Sequence, residues 1–579
     1  MIDYTIIILG GYQMIKKYGL WYTVKYYFVI PYIIFALALA YADPYIVQFC
    51  AKQSNANPNE LLYNAISYII PVFLGIIWFL LVFSVTRQKR YRFLTGRNFA
   101  RDNQMYHRTY RELVRYFKDA NPYKMELDNY KKQSWKNAEG IILGEAEEKL
   151  IHVESAKDGK NYFIFGLPST GKTAGPIICS CLRWGMHHPL SENHKETDGS
   201  IFCIDLKGDI WRATHKYRNI VTFNLMDPKN SAHYNPFAGI ENLSIDERCN
   251  FIENVGFNII PAAGGESGKY FTETAYDYWN GIALYLLHKN INTSFPDVIE
   301  AILTGNAIEW VKKVVSSDCV EAKRRLQSKW GENEKNLSGG YSNLAQNCRK
   351  FASNTLYFLL GNEPQYEYIS VQTLEEGKDV YVQLDQAELM NYNSLLSMIV
   401  QGFLNGFLQR EKNPFASRFN DGTLRPIAFI LDEFAQLSTL KYETLATAFM
   451  TLRSRNISIV CALQSRSSIT EMFHSEAACM SLIDCVTTFV FLSIQEVQTR
   501  EWASKLIGNQ KVLRIANSLS NEKQGHQNTS RSVQETIEPI FQPADFGNLI
   551  DKKNGRDELI IYSKGKYVKA NKIYYYKKE

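Results

Sequence analysis

The chain has 579 residues, of which 46 % are hydrophobic and 21 % are charged. At about 100–200 residues per domain this length predicts several folded units, and the composition excludes a disordered polymer and a disulfide-stapled miniprotein. The formal charge of +6, from 65 basic and 59 acidic residues, does not by itself indicate nucleic-acid binding. The ten cysteines include no Cys-x-x-Cys pair, and all except Cys50 are expected to be reduced thiols of a cytosolic body.

Two apolar stretches near the N-terminus predict membrane spans at about residues 22–42 and 61–85, joined by a short extracytoplasmic loop at 43–60. A membrane helix needs about 20 apolar residues, so the second stretch qualifies and the first, with its core at Tyr26–Ala42, lies near the lower limit. A cleaved signal peptide is the alternative for the first stretch, because Ala40-Tyr41-Ala42 resembles a cleavage site. The long segment before it favours an uncleaved anchor, which we place at residues 1–86.

Basic residues set the predicted orientation of these spans. Between Arg87 and Lys118 there are ten Lys or Arg and two acidic residues, a net charge of +8, whereas only Lys52 lies between the spans. Positive residues favour the cytoplasmic side, so both termini are predicted to be cytoplasmic. We interpret residues 87–139 as a basic juxtamembrane linker facing anionic lipid headgroups, with a DNA-facing surface as the alternative.

Beyond residue 140, short β-rich runs alternate with helical stretches, which is typical of a mainly parallel sheet covered on both faces. The sequence therefore predicts an α/β motor domain in two segments, 140–239 and 371–579. The predicted strands are Asn161–Gly166, Ser200–Asp205, Asn219–Leu225, Asp379–Leu384, Pro426–Leu431, Ile457–Gln464, Thr487–Ser493 and Leu559–Ser563.

The residues between the two motor segments, 240–370, are too many for a connection without structure of its own. Helix-like spacing of apolar residues occurs at Tyr270–Leu287, Phe295–Leu303, Ala307–Val315 and Tyr341–Leu360. We therefore predict an inserted all-α domain, whose aromatic residues form a core rather than a nucleic-acid stacking surface.

A phosphate-binding loop follows the first predicted strand and matches the pattern G-x-x-x-x-G-K-[ST]. Glycines let the backbone wrap around phosphate oxygens, while successive amides supply positive potential. Lys172 is expected to reach the β- and γ-phosphates and Thr173 to bind Mg²⁺. The predicted nucleotide-binding residues are Gly166, Leu167, Pro168, Ser169, Thr170, Gly171, Lys172 and Thr173.

The run Pro426–Leu431 ends in Asp432 and Glu433. An NTPase of this kind needs one carboxylate to hold Mg²⁺ and a second carboxylate to orient or deprotonate water. We assign Asp432 to the metal and Glu433 to the water. Apolar strands that end in Asp are common, but the Asp-Glu pair downstream of a phosphate loop favours this interpretation.

Two further side chains are predicted to take part in catalysis. Gln464 ends the next apolar strand and is a candidate sensor of the γ-phosphate, although it is also an ordinary polar strand end. Arg453, or Arg455 beside it, is a candidate arginine finger that would reach a nucleotide in an adjacent subunit. The alternative is that both arginines are surface residues.

These features, in this order, resemble the coupling proteins of type IV secretion and conjugation systems, the TraG/TraD family. Further matching segments are Asp205–Asp209 (DLKGD), His233–Phe237 (HYNPF), Leu431–Leu437 (LDEFAQL), Ala462–Ser465 (ALQS) and Glu501–Gly508 (EWASKLIG). The chain departs from the family pattern at Ser169, where a glycine is often found, and at Leu206, which replaces a proline. Neither departure removes a phosphate or metal ligand.

The resemblance implies a RecA-like P-loop NTPase that forms a homo-hexameric ring and binds ATP and Mg²⁺ at its subunit interfaces. It implies a bacterial inner-membrane location, with the motor in the cytoplasm beside inner-membrane lipids. The implied partners are type IV secretion channel components, relaxase and/or effector proteins, and single-stranded or double-stranded DNA. No long C-terminal tail follows the last predicted strand, so we expect the helical insert, the basic linker or other proteins to recognise the cargo.

We favour an ATP-driven receptor and translocase that delivers cargo to a secretion channel. The first alternative is a docking platform in which ATP serves only to assemble the ring, which the intact Lys172, Asp432 and Glu433 disfavour. The second is a membrane-anchored DNA pump of the chromosome-segregation type. Such pumps have additional spans and a terminal DNA-reading module that this chain lacks.

Overall fold

The computed structural model describes residues 52, 135, 138–146, 149–155, 159–261, 266–437, 439–521, 527–551 and 556–577. The two predicted membrane spans and nearly all of the basic linker lie outside these residues. Within the described part of the chain, none of the helices has the length and hydropathy that a membrane span requires.

A parallel sheet forms the centre of the described structure. Its strands lie in the order β9-β3-β8-β7-β4-β6-β5, and each pair of neighbours is parallel. The predicted strands are all present, with ends within three residues of those expected. Their bounds are β3 Asn161–Phe165, β4 Ser200–Ile204, β5 Ile220–Asn224, β6 Asp379–Gln383, β7 Ile427–Leu431, β8 Ile457–Leu463 and β9 Thr488–Phe491.

Antiparallel strands extend this sheet beyond β9, in the order β13, β14, β1 and β2, and β12 pairs with β13. Of these, only part of β13 was predicted. The strands are β1 Ile141–Ala146, β2 Lys149–Val153, β12 Ile550–Asp551, β13 Arg556–Ser563 and β14 Lys566–Asn571. The extension brings the end of the chain alongside the start of the motor domain.

A series of helices lies between β5 and β6, within the predicted insert. The expected helical stretch Tyr341–Leu360 is divided in two, because Ser353 begins a new helix and its Oγ accepts a hydrogen bond from Leu356 N at 3.2 Å. The helices are α3 Ile245–Ile259, α4 Glu266–Lys289, α5 Phe295–Thr304, α6 Ala307–Val315, α7 Val320–Leu326, α8 Glu334–Cys348 and α9 Asn354–Leu359.

The remaining helices connect or cover the strands. They are α1 Ile178–Arg183, α2 Asp209–Thr214, α10 Val371–Glu375, α11 Leu389–Leu408, α12 Tyr442–Thr451, α13 Ser467–Phe473, α14 Glu476–Asp484, α15 Val497–Ile507 and α16 Pro543–Gly547. Phe202 and Phe429 on one face of the sheet share a continuous apolar core with Trp279 of the helical insert. The opposite face packs Cys203 against Ile178 and its neighbours. The sheet is therefore covered on both faces, as the sequence predicted.

Residues 509–538 belong to a compact unit distinct from the one that holds the large sheet. Strands β10 (Asn509–Asn521) and β11 (Gln527–Pro539) form a two-stranded sheet of their own there.

Candidate functional site

The phosphate loop begins where β3 ends and is fixed by the strands on either side of β3. Gly166 N donates to the carbonyl of Leu463, at the end of β8, and Leu167 N donates to the carbonyl of Ser493, just after β9, both at 3.0 Å. Thr170 Oγ1 closes the loop on itself by donating to the Leu167 carbonyl at 2.7 Å. The first half of the loop is therefore rigidly attached to the sheet.

Two residues of the loop adopt left-handed backbone conformations. Gly171 has φ of +87° and Ser169 has φ of +62°. A glycine takes such a conformation without strain, whereas a serine pays a steric cost. The family's frequent glycine at the position of Ser169 therefore has a conformational reason, and this chain keeps the conformation with a different residue.

The loop leads into a widened helical turn at Thr173–Ile177, where Ile177 N donates to the Lys172 carbonyl five residues earlier at 3.3 Å. Pro176 lies inside this turn and has no N–H to donate. Turns of this π type are frequent at functional sites. Helix α1 then continues the chain from Ile178.

Lys172 points back into its own loop. Its Nζ donates to the carbonyls of Gly166 at 2.5 Å and Leu167 at 3.1 Å, and the residue is only 8 % exposed. Burial lowers the pKa of Lys172, while the carboxylates of Glu433 and Asp432 oppose that shift. The ammonium group is thus held among acceptors that a phosphate group can replace.

Thr173 and Asp432, which are 259 positions apart in sequence, meet at the end of β7. Thr173 Oγ1 donates to Asp432 Oδ2 at 2.8 Å. The other carboxylate oxygen, Oδ1, is enclosed and accepts no hydrogen bond from a described residue. A hydroxyl and a carboxylate with an unsatisfied oxygen fit Mg²⁺, which takes oxygen ligands and usually keeps several waters.

The electrostatics of Asp432 reflect this enclosure. Although the residue as a whole is partly exposed, burial of its carboxylate raises the pKa of Asp432 to about 6. The hydrogen bond from Thr173 and the charge of Lys172 lower this pKa, whereas the charge of Glu433 raises it. A divalent cation beside the carboxylate would favour its ionised form.

Glu433 follows Asp432 in a left-handed conformation, with φ of +67°, and begins the short 3₁₀ helix Phe434–Gln436. It is partly exposed, and its charge acts on the pKa values of both Lys172 and Asp432, so it lies beside the same cluster. The structure therefore brings together Lys172, Thr173, Asp432 and Glu433.

The two other predicted catalytic residues lie at opposite ends of strand β8. Gln464 is exposed directly after β8, at the carboxyl end of the parallel strands, where the phosphate loop and Asp432 also lie. Arg453 is exposed before β8, in the 3₁₀ helix Leu452–Arg455, at the amino end of that strand. The guanidinium of Arg410 holds that helix, donating to the Arg455 carbonyl at 2.7 Å while paired with Glu375.

Two features near the site were missed by the sequence analysis. The first is Lys207, which lies close enough to Lys172 to lower the pKa of Lys172. Lys207 belongs to a turn in which the Asp205 carboxylate accepts hydrogen bonds from Ile210 N at 3.2 Å and from Trp211 N at 2.7 Å. The family segment DLKGD was the available signal for this turn. Lys572, near the C-terminus, also contacts the loop by donating to the Thr170 carbonyl at 2.9 Å, and it had no such signal.

We predict that Asp432→Asn raises the unfolding temperature of the nucleotide-free protein at pH 8. Burial raises the pKa of Asp432 to about 6 from its ordinary value of 3.8, so the unfolded chain loses this proton at a lower pH than the folded protein does, and the stability of the wild type falls as the pH rises through this range. The amide removes a cost of up to about 3 kcal/mol. The advantage of the variant should grow between about pH 4 and pH 6 and then level off.

Thermal unfolding of the two full-length chains across this pH range measures the effect. Asp484→Asn, at an exposed carboxylate, is the matched control and should show no such pH-dependent gain. An Asp432→Asn variant that is no more stable than the wild type at pH 8 would contradict the prediction.

Comparisons with known proteins agree with this geometry. The family model T4SS-DNA_transf, described as type IV secretory system conjugative DNA transfer, matches residues 123–579. Comparison with curated proteins gave no match.

Solved structures of TrwB, a bacterial conjugative coupling protein, share the fold. Its unbound TrwBΔN70 form has a TM-score of 0.53, with 14 % identity over 75 % of this chain and 89 % of that one. TrwB with the non-hydrolysable ATP analogue ADPNP gives a TM-score of 0.55, and TrwB with ADP and Mg²⁺ gives 0.52, with the same identity and coverage. The predicted α/β fold with a mainly parallel sheet is thereby confirmed, and the chain belongs to the type IV secretory system conjugative DNA transfer family.

Proposed function

We propose that this chain is an ATP-driven coupling protein that recruits cargo at the bacterial inner membrane and delivers it to a type IV secretion channel. The observation that carries this proposal is the 2.8 Å contact between Thr173 Oγ1 and Asp432 Oδ2 beside Lys172. The contact joins a phosphate loop to the carboxylate end of a neighbouring strand. This is the arrangement that Mg²⁺-dependent NTP hydrolysis requires.

The roles of the residues follow from their positions. The amides of residues 169–173 and the ammonium group of Lys172 would bind the phosphates of ATP. Thr173 and Asp432 would hold Mg²⁺, which supplies positive charge to neutralise the phosphate oxygens. Glu433 would accept the proton of the water that attacks the γ-phosphorus, while the bond to the ADP oxygen breaks.

The assignment of ATP and Mg²⁺ is supported by the solved relatives, since TrwB structures contain ADPNP and ADP with Mg²⁺. The family description supports conjugative DNA transfer as the process. We propose that the cargo is relaxase-bound DNA, an effector protein or both, and that the active form is a homo-hexamer. Residues 1–86 would anchor that ring in the inner membrane.

We predict that Glu433→Gln lowers kcat for ATP hydrolysis by about 10²–10⁴-fold, because it removes the proton acceptor. The dissociation constant for Mg²⁺-ATP should change little, since the loop, Thr173 and Asp432 are intact. Steady-state ATPase assays and nucleotide titration of the full-length protein separate the two quantities.

Glu443→Gln, at an exposed glutamate of α12, is the matched control and should keep full activity. Transfer of cargo in cells should be abolished by Glu433→Gln and by Lys172→Ala. Undiminished transfer by the Glu433→Gln protein would instead support a docking platform.

We predict that Arg453 acts on the nucleotide of an adjacent subunit. Arg453→Ala and Lys172→Ala proteins should each be nearly inactive, because a trans-acting arginine is worth about 10³–10⁵ in kcat. When the two are mixed before assembly, interfaces that pair an intact Lys172 with an intact Arg453 should recover about a quarter of the wild-type ATPase activity.

The same mixing experiment with Arg455→Ala tests which of the two arginines acts on the nucleotide. We expect no loss from Arg455→Ala, because Arg455 Nε lies 4.0 Å from Glu411 Oε1 in its own chain. Recovery only with Arg455→Ala would assign the role to Arg455. Full activity of both single arginine variants would exclude an arginine finger at this position.

We predict that Cys50 is accessible from outside the cytoplasm, because it lies in the loop proposed to join two membrane spans. A membrane-impermeant maleimide applied to intact spheroplasts should label the wild type and not the Cys50→Ser variant. Cys249 in the helical insert and Cys485 in the motor are partly exposed, and they should be labelled only after the membrane is permeabilised. Labelling of Cys50→Ser in intact spheroplasts would contradict the proposed orientation.

A further inference from the structure

The C-terminal segment that follows β14 contacts the phosphate loop. Lys572 Nζ donates to the Thr170 carbonyl at 2.9 Å, across 402 positions of sequence. The same ammonium group pairs with Asp557 Oδ1 at 2.9 Å, and the Lys572 side chain is fully buried. The ion pair and the hydrogen bond together restrict where the ammonium group of Lys572 can lie.

Neighbouring residues hold this lysine and extend the contact along the loop. Tyr574 donates its hydroxyl to Asp557 Oδ2 at 2.7 Å, so both oxygens of that carboxylate are engaged. The Tyr574 ring lies against Gly171, where an added Cβ would be 2.9 Å from the ring carbon Cε1. An added Cβ at Gly175 would lie 2.9 Å from the carbonyl oxygen of Ile573. The segment therefore covers the loop from residue 170 to residue 175.

The geometry of the peptide bond gives this contact a consequence inside the loop. In a planar trans peptide, the carbonyl of Thr170 and the N–H of Gly171 point in opposite directions. With the carbonyl directed to Lys572, the Gly171 N–H points away from the C-terminal segment. That N–H makes no hydrogen bond to another described residue. It is thus oriented to donate to a phosphate oxygen.

A phosphate loop without such a constraint can rotate this peptide unit, because Gly171 has no Cβ to restrict it. Rotation would point a carbonyl oxygen, rather than an amide, at the bound anion. The Lys572–Asp557 pair carries no net charge, so it contributes orientation more than electrostatic attraction. In this respect Lys572 differs from Lys172, whose ammonium group is expected to contact the phosphates directly.

We propose that Lys572 is a positioning residue for nucleotide binding, which fixes the Thr170–Gly171 peptide so that its amide is aimed at a phosphate oxygen. Asp557 and Tyr574 hold the lysine in place. The proposal rests on the proposed ATP-binding function and adds to it a residue outside the loop. It requires an effect on nucleotide affinity and little effect on the chemical step.

The test compares Lys572→Met with the wild type in the full-length protein. Titration with Mg²⁺-ADPNP should show affinity weakened by about tenfold, the loss expected when one hydrogen bond to a charged group is removed. The KM for ATP should rise similarly, while kcat at saturating ATP stays within about twofold. Lys572→Arg, which keeps donors at this position, should restore most of the affinity.

Lys569→Met is the matched control, because Lys569 lies on β14, just before the segment that carries Lys572, and its ion pair with Glu558 is partly exposed. It should leave affinity and KM unchanged. Asp557→Asn provides a second disruption should Lys572→Met fail to fold, since the amide keeps the shape but releases the lysine. It should also weaken Mg²⁺-ADPNP binding, with kcat retained.

The outcomes separate this inference from the function on which it rests. Wild-type affinity in a folded Lys572→Met or Asp557→Asn protein would overturn the inference alone, as would a fall in kcat with KM unchanged. A lower unfolding temperature without a change in affinity would show a purely structural role and would also overturn it. Failure of the folded wild type to bind Mg²⁺-ADPNP would overturn the proposed function as well.

Discussion

The site depends on one constraint: the parallel strands β3, β8 and β7 end at nearly the same height in the sheet. Phe165 pairs with Leu463 across β3 and β8, and Leu431 pairs with Cys461 across β7 and β8. The strands are buried on both faces, so a one-residue shift would exchange the side chains that pack against the two layers of helices. The phosphate loop and Asp432 therefore leave the sheet at nearly the same height, which allows Thr173 to reach the carboxylate.

Much of this arrangement could be predicted because its signals are local. Buried parallel strands appear as short apolar runs, and the residues that follow them carry the loop and the two carboxylates. The antiparallel extension had a weaker signal, since β14 (KYVKAN) is largely polar and buries only Ala570. Lys572 could not be identified at all. It stands among several lysines, and its partner in the phosphate loop is a backbone carbonyl, which leaves no trace in the sequence.

The site also retains backbone strain where a glycine would be relaxed. Ser169 and Glu433 both have φ near +65°, a conformation that costs a non-glycine residue about 1–2 kcal/mol. At residue 433 a glycine would remove the strain together with the carboxylate proposed to activate water. Strain of this kind persists where the surroundings over-determine the conformation. The attachments of the loop to β8, to the segment after β9 and to the C-terminal segment supply that constraint around Ser169.

The sheet also separates Arg453 from the other predicted catalytic residues by a distance that no side chain can span. Arg453 precedes β8 and Gln464 follows it, and the seven residues of β8 extend over about 23 Å. Arg453 therefore cannot approach the cluster around Lys172 in its own chain. An arginine finger at this position therefore requires a second subunit. The phosphate loop of that subunit would face the end of this subunit's sheet that carries Arg453, and a contact between two such different surfaces is head-to-tail. Head-to-tail contacts close into a ring when the rotation between neighbours permits closure, and under the proposed arginine-finger role hydrolysis at each site would depend on assembly with a neighbour.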